Sequence, residues 1–431
     1  VIEYLEKQKA EYKAYWIDNV IVVNASNRNT FNGLQSFGEI EILRARRHPN
    51  FYEPVEMSDV MANLPLTVQS NLTHVGADQV WAMGVTGQGI VVANIDTGVN
   101  YTHEALVQQY RGNLGGGVFN HDHNWYDPAS GGTHLLVPAD WHDHGSHTMG
   151  TMLGSTDPAN PATAATTIGM APGAKWIACR AFEATDQELL DCGQFMAAPT
   201  ETDGVTDPDP NLRPNIINNS CGDCTTTYDP WYDGILNSWH ALGIYPVFSN
   251  GNSSNCGYSS PPGLNTVGSP ARAGNVTGVG ATGRNNGVYA TFSNWGPTDQ
   301  NDTINPMGYP RLKPQVVAPG TNYSAYNTGN DYGDMSGTSM SSPHVVGLVA
   351  LMWSAASCLV GDYAATETIL QQTANPIPYA SGGSPPPGPG DVPNYATGWG
   401  EINALAAVEA AQGSCGPQGV LEGRVVKQSN P

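Results

Sequence analysis

From about Val75 onward, short apolar runs alternate with longer mixed stretches. The runs Gly89–Ile95, Lys175–Ala181, Asn215–Asn219, Ile244–Ser249 and Val276–Ala281 are of strand length, with room between them for helices. Strands that are nearly continuous in apolar residues are buried on both faces, which is the pattern of parallel βαβ units. The pattern predicts an α/β fold with a doubly wound parallel sheet. The stretch Ser339–Ala356 (SMSSPHVVGLVALMWSAA) contains no charged residue. A helix there has no polar face and belongs in the interior. A Pro/Gly-rich loop at 384–393 precedes a last amphipathic helix, Ile402–Ala411.

The first residues carry another pattern. Ile2, Leu5 and Tyr12 in VIEYLEKQKAEYKA predict a helix, followed by strand Tyr15–Asn24, a short helix near Thr30–Phe37 and strand Glu39–Arg46. From His48 to Thr73 periodicity fades, and this stretch reads as a linker with a processing site. The expected division is an α+β unit with its linker over 1–62, a main domain over 63–415, and a tail or the start of a further β-domain over 416–431.

Charge narrows the partners. Lys and Arg total 17 against 38 Asp and Glu, a net −21, and such a field repels a phosphate backbone or an anionic bilayer. Neither nucleic acid nor membrane is an expected partner, and no apolar run approaches the roughly 20 residues of a membrane span. The seven cysteines are scattered apart from Cys221 and Cys224. With no second CxxC to complete a zinc set, disulfides in an oxidising compartment are expected, with one thiol left over. The chain opens at Val1 without Met or an apolar leader, so upstream residues are expected to have been removed or never included.

Three segments put reactive side chains at the ends of elements, where open α/β sheets bind ligands. IVVANIDTGVN ends a strand on Asp96. A carboxylate there can hold an imidazole in one tautomer, although DTG is equally a mark of paired-aspartate proteases, which need a second such motif that this chain lacks. DWHDHGSHTMGTMLG places His142, His144 and His147 among Asp140 and Asp143. This cluster admits a metal site as an alternative, but has neither the HExxH base nor an evident third ligand. DMSGTSMSSPHVVG sets Ser339 at the start of the apolar helix, with Gly337 before it and Pro343 after it. A serine there can be a plain helix cap. It can also be a nucleophile whose developing charge faces first-turn amides.

In the order Asp96, His144, Ser339, with LKPQVVAPG (312–320) and ATFSNWGP (290–297), the chain resembles the subtilisin-like serine proteases over about residues 75–411. ADQVWAMGVTGQGIVVANIDTGVNYTHEAL and PNIINNSCG resemble the bacillopeptidase F-like members in particular. The resemblance implies a secreted, monomeric serine endopeptidase acting on peptides and unfolded proteins. It implies Asn252 in FSNGNSS as an oxyanion donor, Gly251 beside it, and Ser220, Cys221 and Gly222 as the edge along which substrate lies. It implies no cofactor for the chemistry. Residues 1–47 resemble part of an inhibitory, ferredoxin-like propeptide, so the chain's own propeptide is an expected partner. Cys221 stands where relatives carry an apolar residue, which implies that it is the free thiol and that Cys224–Cys256, Cys179–Cys192 and Cys358–Cys415 are the bridges. One family calcium site is expected to be missing, because THEAL puts Ala105 where an aspartate would stand. Calcium elsewhere, as at the carboxylates of 203–211, stays open.

Overall fold

A computed structural model describes residues 1–24, 27–45, 50–51, 53–57, 68–128, 134–181, 185–305, 307–378 and 392–416. The predicted boundary at 62/63, most of the 384–393 loop and the Gly419–Lys427 segment lie outside the described residues. One parallel sheet holds strands β1 (Val91–Asp96), β2 (Trp125–Tyr126), β3 (Lys175–Arg180), β4 (Ile216–Asn219), β5 (Tyr245–Ser249), β6 (Thr277–Thr282) and β7 (Val316–Pro319); the five predicted runs become β1, β3, β4, β5 and β6, while β2 and β7 were not among them. Their spatial order is β7-β6-β5-β4-β1-β3-β2. From β1 the chain goes to the edge strand β2, inserts β3 between them, then crosses to add β4 on the other side of β1 and winds outward through β5, β6 and β7. The crevice at the carboxyl ends of β1 and β4 is therefore the topological switch point.

Alternation along each strand feeds two cores. Val92, Trp176, Ala178, Ile216, Val247 and Val279 pack on one face with α1 (His144–Leu153) and α4 (Thr338–Ala355). Ala93, Ile95, Ile177, Ile217 and Phe248 pack on the other with α2 (Asp186–Ala197) and α3 (Asp233–Ala241). Every α4 residue from Thr338 to Trp353 is buried, as its lack of charge requires. Pro343 lies in the second turn, where it removes the N–H that the Ser339 carbonyl would accept. The Ser220 hydroxyl approaches that carbonyl instead, at 3.4 Å.

The N-terminal unit is α+β, but its elements differ from the predicted helix-strand-helix-strand. The first helix stops at Lys7, and the predicted strand 15–24 is the second half of an antiparallel hairpin, Glu11–Tyr15 with Val20–Asn24. Asn19 turns it at φ 49°, a conformation that asparagine tolerates. A helix follows at Arg28–Leu34, and residues 39–45 form no strand. Instead Arg44 reaches across to lie over Trp231 and within 3.9 Å of Asp186. The unit rests on α2 and α3. Tyr15 Oη donates to Asp191 at 2.9 Å, Lys13 pairs with the same carboxylate at 2.5 Å, and the Ser238 hydroxyl donates to the Ile17 carbonyl.

Three disulfides, Cys179–Cys192, Cys224–Cys256 and Cys358–Cys415, and a buried free Cys221 match the expected pairing. Cys358–Cys415 joins the segment after α4 to the end of α5 (Ala404–Ser414) across a sequence separation of 57. Loop-closure entropy makes that bridge worth roughly 2–4 kcal/mol. Replacing both cysteines by serine is expected to lower the thermal midpoint by several degrees. Calorimetry without reductant, on a Ser339→Ala background to prevent self-digestion, checks this; an unchanged midpoint would count against it.

Candidate active site

Asp96 ends β1, and the chain turns away through Thr97 and Gly98. Gly98 has φ +117°, and a Cβ there would lie 1.9 Å from the Ala139 carbonyl oxygen. Gly145, in the first turn of α1, is equally constrained, since its Cβ would meet the Gly98 oxygen at 2.0 Å. The two glycines let α1 press against the turn, which brings His144 onto Asp96. His144 Nδ1–H donates to Asp96 Oδ1 at 2.7 Å, and both side chains are buried. The Thr97 N–H also donates to Oδ1 at 2.7 Å, while the Thr148 hydroxyl lies 3.2 Å from Oδ2. Burial alone would depress the His144 imidazolium, but the charge and hydrogen bond of Asp96, with smaller contributions from Glu53 and Asp140, hold its pKa above the ordinary value.

The neighbouring histidines do not gather round a metal. His147 donates from Nε2 toward the Asn322 and Gly333 carbonyls at 3.1 and 3.2 Å. Burial and the nearby His144 push its pKa down to about 3, so it stays neutral. His142 instead faces Glu53, 3.5 Å away. Asp140 accepts from the Thr97 hydroxyl and the His142 and Ser146 amides, which locks the loop leading into α1. Among the described residues no cluster of three metal-ligating side chains occurs. In the 203–211 loop, Asp203 accepts from Val205 and Thr206 N–H, and Asp209 from Asn211 N–H, so these carboxylates brace their own turns.

Ser339 is buried in the first turn of α4. Beside it, Asn252 follows β5 through Asn250 and Gly251. Asn252 Oδ1 accepts both the Thr338 N–H and the Thr338 hydroxyl at 2.9 Å. The Thr338 oxygen in turn accepts the Gly251 N–H at 3.2 Å. These contacts fix which end of the amide is oxygen, so Nδ2 faces outward as a donor. It meets a main-chain carbonyl, that of Glu53, at 3.1 Å. A Cβ on Gly337 would stand 3.2 Å from Nδ2, a tight contact beside the donor.

The segment carrying Glu53 was read from sequence as linker, and its position is the main feature that reading missed. Asn50–Phe51 pair antiparallel with Cys221–Gly222, and Glu56–Met57 pair antiparallel with Met335–Ser336. Cys221–Gly222 thus form a paired strand edge, with Ser220 behind it 3.3 Å from Ser342 Oγ. Burial and the nearby Asp96 charge push the Cys221 thiol up to about 12, so it stays protonated. Thr97, Thr148 and Thr338 were also missed as supports. Each adjoins a residue singled out by motif or lies one turn along its helix, and that adjacency was the available signal.

The end of β1 thus brings Asp96 to His144, and the turn after β5 brings Asn252 to the first turn of α4, which carries Ser339. A family model described as Subtilase family (peptidase S8) matches residues 87–400. Bacillopeptidase F of Bacillus subtilis (strain 168) is 34% identical over 96% of this chain, which spans 28% of that protein's length. M-protease of Shouchella clausii (strain KSM-K16) is 25% identical over 82% of this chain and 78% of its own. The extracellular basic protease of Dichelobacter nodosus is 29% identical over 66% and 46%. With both its fold and most of its length matched, the chain belongs to the subtilase family.

Proposed function

We propose that the protein is a secreted serine endopeptidase that hydrolyses peptides and unfolded chains through an acyl-enzyme on Ser339. His144 Nε2 takes the hydroxyl proton as Ser339 Oγ attacks the carbonyl, then returns it to the leaving amine. Asp96 holds the ring with its proton on Nδ1 and stabilises the imidazolium. Asn252 Nδ2 donates to the oxyanion. None of these steps needs a cofactor. The edge Ser220–Cys221–Gly222 binds substrate main chain to main chain, which lets side chains vary. The observation that carries the reading is the carbonyl held 3.1 Å from Asn252 Nδ2, beside the helix that Ser339 opens.

Residues 1–62 act on this reading as an inhibitory propeptide with its linker, bound in the cleft through 50–51 and 53–57 and on α2 and α3 through its α+β unit. Export is supported by the three disulfides and by the printed name of the Dichelobacter relative. The test is hydrolysis of a mixed peptide library beside covalent capture by a fluorophosphonate. Cleavage together with labelling of Ser339 is expected; intact peptides after removal of the N-terminal unit would refute it.

Asn252→Ala removes a donor that acts on charge formed in the transition state. The expected loss is about 10²–10³ in kcat, a magnitude established in this same family, with KM little changed. Steady-state kinetics on one peptide decide it, since a KM effect alone would make Asn252 a ground-state contact.

A further inference from the structure

The strand in the cleft is clamped on both sides of the reacting position. Beyond the Asn50–Phe51 pairing, the Val55 N–H donates to the Ser336 carbonyl at 2.7 Å and Glu56–Met57 continue that ladder. Between the clamps, Asn252 Nδ2 donates to the carbonyl of Glu53. The bond that leaves this carbonyl is Glu53–Pro54. The Glu53 carboxylate lies 3.5 Å from His142 Nε2, two residues before His144.

We infer that Glu53–Pro54 is the bond offered to Ser339, that Pro54 keeps it from being cut, and that residues 50–51 and 53–57 are thereby a standing inhibitor seated as a substrate, with His142 holding the acidic side chain. This rests on the acyl-enzyme reading above and deepens it. Cutting would form a bond from Ser339 Oγ to the Glu53 carbonyl carbon and move the hydroxyl proton to His144. It would then break the C–N bond as His144 delivers that proton to the Pro54 nitrogen. An ordinary amide nitrogen carries a small hydrogen. In proline Cδ takes that place and the ring fixes φ, which crowds the nitrogen where the imidazolium must approach. The clamp at Val55–Met57 adds to this by keeping the amine beside the acyl carbon, so the intermediate closes back to the intact bond.

Proton delivery by a positioned acid is worth about 10²–10⁴ in rate, so Pro54→Ala in the full chain is expected to speed self-cleavage by about 10²-fold or more. Intact-mass time courses should show a new N-terminus at position 54, absent when Ser339→Ala is added, and Pro54→Ser should behave alike. A synthetic peptide of residues 49–60 should inhibit hydrolysis of an added reporter peptide, whereas its Pro54→Ala version should be consumed at the 53–54 bond. That second arm does not depend on the variant's folding. Cleavage of the Pro54→Ala chain at the wild-type rate, or only at another bond, overturns the inference. If the reporter is cut in a Ser339-dependent manner while both 49–60 peptides stay intact, the inference fails and the endopeptidase reading stands. If the reporter is not cut at all, both fall.

Discussion

Ser339→Ala is expected to lower kcat/KM on an unstructured peptide by about 10⁶-fold, the size found when the same nucleophile is removed from a subtilisin, while leaving the fold intact. The substitution deletes one buried oxygen and leaves the surrounding supports in place. Asn252 is fixed through Thr338, not through Ser339. His144 keeps its bond to Asp96. The nearby hydroxyls are engaged elsewhere, Ser342 Oγ donating to Asn218 at 2.8 Å and the Thr338 hydroxyl to Asn252 at 2.9 Å. What activity persists should come from the oxyanion donor and from substrate binding. The measurement is initial rate on a fluorogenic peptide, with circular dichroism and the thermal midpoint as controls on folding. A variant within tenfold of the parent and equally folded would show that another group attacks the carbonyl.

How much of this was legible in the sequence depended on whether the physics was local. The central strands declared themselves because a parallel strand buried on both faces must be apolar throughout, and β1, β3, β4, β5 and β6 fall within a few residues of the runs that predicted them. α4 declared itself by its lack of charge. The segments around Asp96, His144 and Ser339 stood out by their glycines, of which Gly98 and Gly145 are required by a close approach. The pairings of Asn50–Phe51 and Glu56–Met57 were not legible. Their hydrogen bonds go to Cys221–Gly222 and Met335–Ser336, far away in sequence, and two-residue strands leave no alternation to read. The same applies to Asn71, whose side chain meets His344 at 2.8 Å and ties the entry of the main domain to α4. In the N-terminal unit the fault was a missed turn, since Asp18–Asn19 marked a hairpin inside what periodicity alone read as one strand.

Asp96→Asn is expected to cost about 10⁴ in kcat, the loss that this exchange causes in other serine proteases with the same triad, with KM nearly unchanged. The side chains are isosteric, so the packing of α1 on the end of β1 should persist. The difference lies in the ring proton. The carboxylate accepts from His144 Nδ1–H, which leaves Nε2 bare to take a proton from Ser339. An asparagine that turns its amide toward Nδ1 donates instead and moves the proton to Nε2, where the base should be. The pH profile should shift as well, and its sign follows from the two opposing causes. In the parent, Asp96 holds the His144 pKa above 6.5, so activity, which needs the neutral ring, should fall on acidification through a midpoint above that value. Without the carboxylate, burial becomes the dominant influence on His144 and favours the neutral ring, so the acid limb should move to lower pH. Profiles of kcat/KM on the processed enzyme, from which Glu53 has left, separate this from the contribution of the bound strand. A variant with the acid limb of the parent would mean that Asp96 does not set the protonation of His144.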